Sequence, residues 1–160
     1  MKYKAAVITL SDRAYKNVYE DKSGKILKKL LEDSGFDVVD YDVLPDEKDL
    51  LRNKILCLRK EKIDIIITTG GTGLTSRDIT PEVTYQIVDR RMEFMEMAIF
   101  LSNFKETPKA MLSRGICGVI GRTIILNFPG SPNAVVTSFN AVKDVLDHAI
   151  KKVNDDSSEP

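Results

Sequence analysis

Apolar residues in this chain follow two rhythms that alternate along its length. Residues 5–10 form a short, nearly continuous apolar run, and residues 63–69 (Ile-Asp-Ile-Ile-Ile-Thr-Thr) form the strongest one. Such runs suit strands buried on both faces. Residues 37–44 alternate and predict a further strand, nearer a sheet edge. Between the first two strands, Ile26, Leu27, Leu30 and Leu31 fall at helical spacing, with Gly35 as the stop. Residues 48–62 carry Leu51, Ile55 and Leu58 with the same period. Strands alternating with helices of this length predict βαβ units and a mostly parallel sheet.

After Gly73 the rhythm changes. Thr80-Pro81-Glu82 predicts a helix start: a capping hydroxyl, a proline at the first helical position and an acid near the positive end of the dipole. Residues 92–104 are apolar on more than one face, which suits a deeply packed helix or a contact between subunits. Residues 116–120 and 123–128 are β runs separated by Gly121-Arg122, a hairpin step that puts one antiparallel strand in the sheet. Val135, Phe139, Val142, Leu146, Ala149 and Val153 trace one stripe of a last helix. Residues 1–153 are expected to form one α/β domain, and residues 154–160, without an apolar side chain, a frayed tail.

Composition narrows the function classes. Lys and Arg number 24 and Asp and Glu 24, so there is no net charge to draw the chain to nucleic acid. Cys57 and Cys117 lie in apolar runs without partnered spacing and are expected to be reduced and buried. His148 falls in the last helix with no ligand-like neighbours, which speaks against a histidine metal centre. No signal-like segment and no run near ~20 apolar residues is present, so a cytoplasmic protein without a membrane span is expected.

The unusual residues follow the predicted strands: Ser11-Asp12-Arg13, Pro45-Asp46-Glu47, Gly70-Gly71-Thr72-Gly73 and Pro129-Gly130-Ser131-Pro132. In a parallel sheet these loops share the carboxyl edge, where open α/β folds bind ligands. The glycine loop lets backbone N–H groups approach an anion. It is neither a Walker loop nor a dinucleotide fingerprint, because no Gly-Lys-Ser/Thr follows and the first strand's turn lacks Gly-x-Gly-x-x-Gly. Asp46 and Asp78 beside a phosphate loop would repel it by ~4 kcal/mol per close pair, unless a hard divalent cation lies between. Mg²⁺ fits, held by one or two carboxylates and phosphate oxygens. Arg13, Arg77 and Arg114 are candidate phosphate clamps or plain surface charges. Ser131 with Pro132 predicts the capped start of the last helix, another anion-favouring point.

These motifs, together with the run from Leu74 through Thr75, Ser76 and Arg77 to Glu82, with Met111-Leu112-Ser113-Arg114, and with Asn127-Phe128 ahead of the Pro-Gly loop, resemble the MogA/MoaB molybdopterin-binding family of molybdenum cofactor biosynthesis. Ser11-Asp12-Arg13-Ala14 followed by Val18-Tyr19-Glu20-Asp21 is most similar to its adenylyltransferase branch. The resemblance implies a three-layer α/β fold, a homotrimer, other cofactor-biosynthesis proteins as partners, and Mg²⁺- and ATP-dependent adenylylation of molybdopterin. Asp46 and Asp78 are then the functional aspartates and metal ligands. The residues Ser11, Arg13, Gly70, Gly71, Thr72, Gly73, Thr75, Arg77, Ser113, Arg114, Pro129, Gly130 and Ser131 then contact substrate. The alternative within the family is a molybdopterin carrier that uses no ATP. One departure stands out: the segment Asp89-Arg90-Arg91-Met92-Glu93-Phe94 lacks the family's Pro-Gly turn, so the chain beside the pterin pocket is expected to run differently.

Overall fold

In the computed structural model, which describes residues 2–154, the first apolar run becomes β1 (Lys4–Leu10), an interior strand of a six-stranded sheet. The short helix α1 (Asp12–Tyr15) and the longer α2 (Lys22–Asp33) follow, then β2 (Asp37–Leu44), α3 (Lys48–Lys60) and β3 (Ile65–Thr69). The second half supplies α4 (Thr80–Ile87), β4 (Arg90–Arg91), α5 (Glu93–Glu106), a 3-10 turn at Pro108–Leu112, β5 (Cys117–Ile120), β6 (Thr123–Phe128) and α6 (Pro132–Asn154).

The strand order is β2-β1-β3-β6-β5-β4. β2, β1, β3 and β6 run parallel, and β5 returns antiparallel through the positive-φ turn at Gly121. The expected single antiparallel strand is therefore β5. β4, only two residues long, pairs antiparallel with β5 and forms one rim. β2 forms the other, where Lys54 of α3 reaches over to Asp40 (2.9 Å) and Asp42 (3.4 Å).

Alternation within the buried strands sorts the core into two layers. Ala5, Val7, Ile65, Ile67, Ile124, Leu126 and Phe128 face α2, α5 and α6, meeting Leu27, Leu31, Ile99, Phe139 and Leu146. Ala6, Ile8, Ile66 and Ile125 face α3 and α4, meeting Leu51, Ile55, Leu58 and Val83. This is a three-layer α/β arrangement with the sheet in the middle. Phe128 and Phe139 are fully enclosed, and each such side chain contributes roughly 2–3 kcal/mol of burial.

Several local expectations change. Cys57 is exposed, not buried: the apolar stripe of α3 uses Leu51, Ile55 and Leu58, which turns the thiol outward to Glu61 (3.5 Å). Cys117 is enclosed in β5. α5 is not deeply packed, since within the helix only Ile99 and Asn103 are buried. Phe94 and Leu101 lie open on this helix, Phe94 at 84% exposure. Asn154 ends α6, with its Nδ2 donating to the Ile150 carbonyl (2.9 Å), and residues 155–160, the rest of the expected tail, lie outside the described residues. Among the described residues no helix is long and apolar enough to cross a membrane.

Candidate functional site

Parallel strands deliver their following loops to one edge, so the ends of β1, β2, β3 and β6 converge. The turn after β3 is made possible by glycine: Gly70 (φ 91°) and Gly71 (φ 67°) both take the left-handed region. Gly70 donates its N–H to the Phe128 carbonyl (3.2 Å), so this amide is spent inside the sheet. Its own carbonyl accepts the Thr80 hydroxyl (3.1 Å). That bond corrects the expected role of Thr80, whose hydroxyl ties α4 to the glycine loop and does not cap the helix.

Around these ends lies a cleft of about 690 Å³ lined by Ser11, Asp12, Arg13, Asp46, Gly70, Gly71, Asp78 and Gly130, together with the start of α2. The two aspartates expected to work together do share it. Asp46 accepts the Asp12 N–H at Oδ2 (3.1 Å), while its Oδ1 is buried with no hydrogen-bond partner. Asp78 accepts both the Thr75 N–H and the Thr75 hydroxyl at Oδ2 (2.8 Å each), which pins the loop after the glycines. Burial pushes the Asp46 carboxyl above its ordinary range. The Asp12 N–H and the Arg77 charge oppose this, and the charges of Asp12 and Asp78 add to it. An orphaned, desolvated carboxylate oxygen, in a residue that shares its cleft with a second carboxylate, fits a divalent cation. Among the described residues no group of three or more His, Cys, Asp or Glu could hold a metal alone. Phosphate oxygens and water would have to complete the shell.

The arginines divide. Arg13 lies over the Tyr19 ring (5.4 Å to its centroid) at the cleft mouth, and Tyr19 in turn shares a hydrogen bond with Ser11 (2.8 Å). Arg77 is occupied instead by Asp12 (2.9 and 3.0 Å) and Glu47 (3.1 Å). Arg114 is likewise occupied: it donates to the carbonyls of Gly73 (2.9 Å) and Asp78 (3.2 Å) and pairs with Glu82. Burial alone would raise the Glu82 carboxyl, but this pairing holds it below its ordinary range. Both arginines therefore brace loops, which is neither the free phosphate clamp nor the plain surface charge that the sequence left open. Ser113 meets the buried Thr72 hydroxyl (3.1 Å), and Ser131 caps α6 by accepting the Ala134 N–H (3.2 Å).

A second cavity of about 650 Å³ opens on the other side of the Pro129-Gly130-Ser131 loop, lined by Met97, Ile99, Phe100, Ser113, Arg114, Pro129 and Ser131. Gly130 faces the first cavity and its two neighbours the second, so this loop is the partition. The segment without the Pro-Gly turn forms the second cavity's outer wall. There Arg91 pairs with Glu96 (2.7 Å), and Glu96 accepts the Cys117 N–H (3.0 Å).

Sequence reasoning placed Asp12 on this edge without giving it a role, and missed the α2 start as part of the edge. Asp21 caps α2 through the Gly24 N–H (3.0 Å) and accepts hydroxyls from Thr9 (2.7 Å) and Tyr41 (2.5 Å), while Ser23 donates to the Gly130 carbonyl (2.7 Å). An acid at a helix start is the signal that was available.

Because ionised Asp46 is disfavoured in the fold, its native pKa lies above the unfolded value near 3.8. Between these values the native state binds more protons, so stability falls as pH rises through the window. Asp46→Asn is therefore expected to be more stable than wild type at pH 7 in chelator, with the difference vanishing below the unfolded value. Urea denaturation across pH checks this, and an Asn variant less stable at pH 7 contradicts it.

A family model described as "Probable molybdopterin binding domain" matches residues 6–148. A Drosophila melanogaster protein named molybdenum cofactor synthesis protein cinnamon is 39% identical over 95% of this chain, which spans only 26% of that longer relative. A Helicobacter pylori protein named molybdopterin adenylyltransferase is 33% identical over 90% of this chain and 84% of its own. The crystal structure of a Thermus thermophilus protein described as the molybdopterin biosynthesis enzyme MoaB superposes with a TM-score of 0.89 at 37% identity, covering 96% of this chain and 97% of that one.

Proposed function

This chain belongs to the molybdopterin-binding domain family of molybdenum cofactor biosynthesis, and from that premise we propose that it adenylylates molybdopterin with Mg²⁺ and ATP. The observation that carries the reading is the pairing of Asp46 and Asp78 in one cleft, with Asp46 Oδ1 buried and unpartnered. Binding of an anionic pterin alone gains nothing from two carboxylates, whereas a phosphate-bound cation does.

The two cavities divide the substrates. The cleft of Asp46, Asp78, Gly71 and Arg13 takes the nucleotide phosphates, and the more apolar cavity of Met97, Ile99 and Phe100 takes the flat pterin. The partition at Gly130 and Ser131 brings the terminal phosphate of the pterin to the α-phosphorus of ATP. A pterin phosphate oxygen forms the new bond to that phosphorus, and the bond to the bridging oxygen breaks, releasing pyrophosphate. Bound Mg²⁺ supplies neutralisation of the phosphate charge. Asp46 and Asp78 fix where that charge is met, the glycine turn leaves room for close approach, and the α6 start, capped by Ser131, favours the pterin's anion. No side-chain base is required, since the attacking group is already an anion. Thr72, Gly73 and Thr75, together with Arg77 and Arg114, shape the loop that holds Asp78. The open apolar side of α5 is read as the contact of a homotrimer.

Incubating the protein with molybdopterin, ATP and Mg²⁺ is expected to release one pyrophosphate for each adenylylated pterin formed. Tight pterin binding without any ATP consumption overturns the reading in favour of a carrier.

A further inference from the structure

Asp12 is absent from the roles assigned above, yet it makes more contacts across this edge than either proposed cation ligand. It exchanges hydrogen bonds with Asp46 in both directions: its N–H donates to Asp46 Oδ2 (3.1 Å), and its Oδ1 accepts the Asp46 N–H (2.9 Å). Its two carboxylate oxygens also receive the Arg77 guanidinium, from Nε (2.9 Å) and Nη2 (3.0 Å). Arg77 Nη2 goes on to Glu47 (3.1 Å). Loops following β1, β2 and β3 are thus locked together through one side chain. The pairing with Arg77 and the Asp46 N–H hold the Asp12 carboxyl below its ordinary range, so it stays ionised.

Two consequences follow for Asp46. Its Oδ2 is fixed by the Asp12 backbone, which leaves Oδ1 buried and unpartnered in a residue that lines the same cleft as Asp78. Arg77 lies close enough for its charge to act on Asp46, but it is kept on Asp12 and Glu47. A released guanidinium would be a ready monovalent partner for Asp46, in direct competition with a divalent ion.

We propose that Asp12 is a positioning residue for the cation site, aiming the free oxygen of Asp46 and holding Arg77 away from it. The inference rests on the Mg²⁺ reading of the cleft and extends it to a residue that is not itself one of the two proposed ligands. Metal-binding carboxylates are commonly oriented by such partners.

The test is a Mn²⁺ titration followed by electron paramagnetic resonance, in the presence of α,β-methylene ATP, which cannot be cleaved at the reacting bond. Asp12→Asn keeps the size of the side chain but turns amide hydrogens toward Arg77. It is expected to weaken Mn²⁺ binding about tenfold. Adding Arg77→Met to that variant is expected to recover most of the loss, because the competitor is gone. Arg77→Met alone breaks the same clamp without freeing a cation and is expected to lose clearly less Mn²⁺ binding than Asp12→Asn. Melting of each variant in chelator gives the structural baseline. Unchanged Mn²⁺ binding in Asp12→Asn, or a double variant as weak as the single, overturns the inference alone. If Asp12→Asn does not fold, a tenfold loss in Arg77→Met overturns it. A wild type that holds no Mn²⁺ with the nucleotide overturns the cation reading and this inference together.

Discussion

Asp78→Asn is expected to lower adenylyl transfer by about two to three orders of magnitude while leaving molybdopterin binding intact. Asparagine has the size of aspartate and keeps an oxygen for the Thr75 N–H and hydroxyl, so the loop after the glycines should hold its shape. What disappears is one of the two proposed ligand carboxylates that line the cleft. Pyrophosphate release at saturating substrates reads the chemistry, and quenching of pterin fluorescence reads the binding. Turnover equal to wild type would remove Asp78 from the mechanism. Parallel loss of binding and turnover would assign it to holding the pterin cavity together.

Gly70→Ala carries the largest expected effect on the fold. A methyl at this position would stand 2.3 Å from the Leu10 carbonyl oxygen, which belongs to the backbone of β1 and cannot swing aside. The residue also sits at φ 91°, a conformation side chains avoid. Relief of the contact would have to part the ends of β1 and β3, disturbing the Gly70–Phe128 and Thr80–Gly70 hydrogen bonds together. Strain and overpacking add to about 3 kcal/mol or more, a fall of roughly 6–12 °C in Tm for a chain of this size. Thermal denaturation followed by circular dichroism measures it. A Tm within ~2 °C of wild type would show that the two strands part more easily than close packing implies.

Much of this arrangement was legible because its causes are local. The apolar run of β3, the period of α3 and α6, and the glycines after Thr69 each announce themselves within a few residues. The partners of the polar side chains do not. Arg114 meets Gly73, Asp78 and Glu82 across more than thirty residues. Arg77 meets Asp12 across 65. Residue type revealed that these arginines seek anions, but only the fold shows that protein acceptors have already taken them. Thr80 failed for the same reason: Thr-Pro-Glu has the composition of a helix start, yet a carbonyl ten residues upstream claims its hydroxyl. β4, at two residues, is too short to show a period. The outward turn of Cys57 was readable from the stripe of α3 and was missed by weighing the apolar run ahead of its phase.

The rims of the sheet bear on how copies of this chain can meet. One rim is β2, which carries Asp37, Asp40 and Asp42 and is bridged by Lys54; the other, β4, offers only Arg90 and Arg91. A neighbour trying to add a seventh strand would bring backbone against fixed charge on one side and find almost no ladder on the other. Strand-on-strand templating is thus discouraged at both ends, and self-recognition is left to helical surfaces.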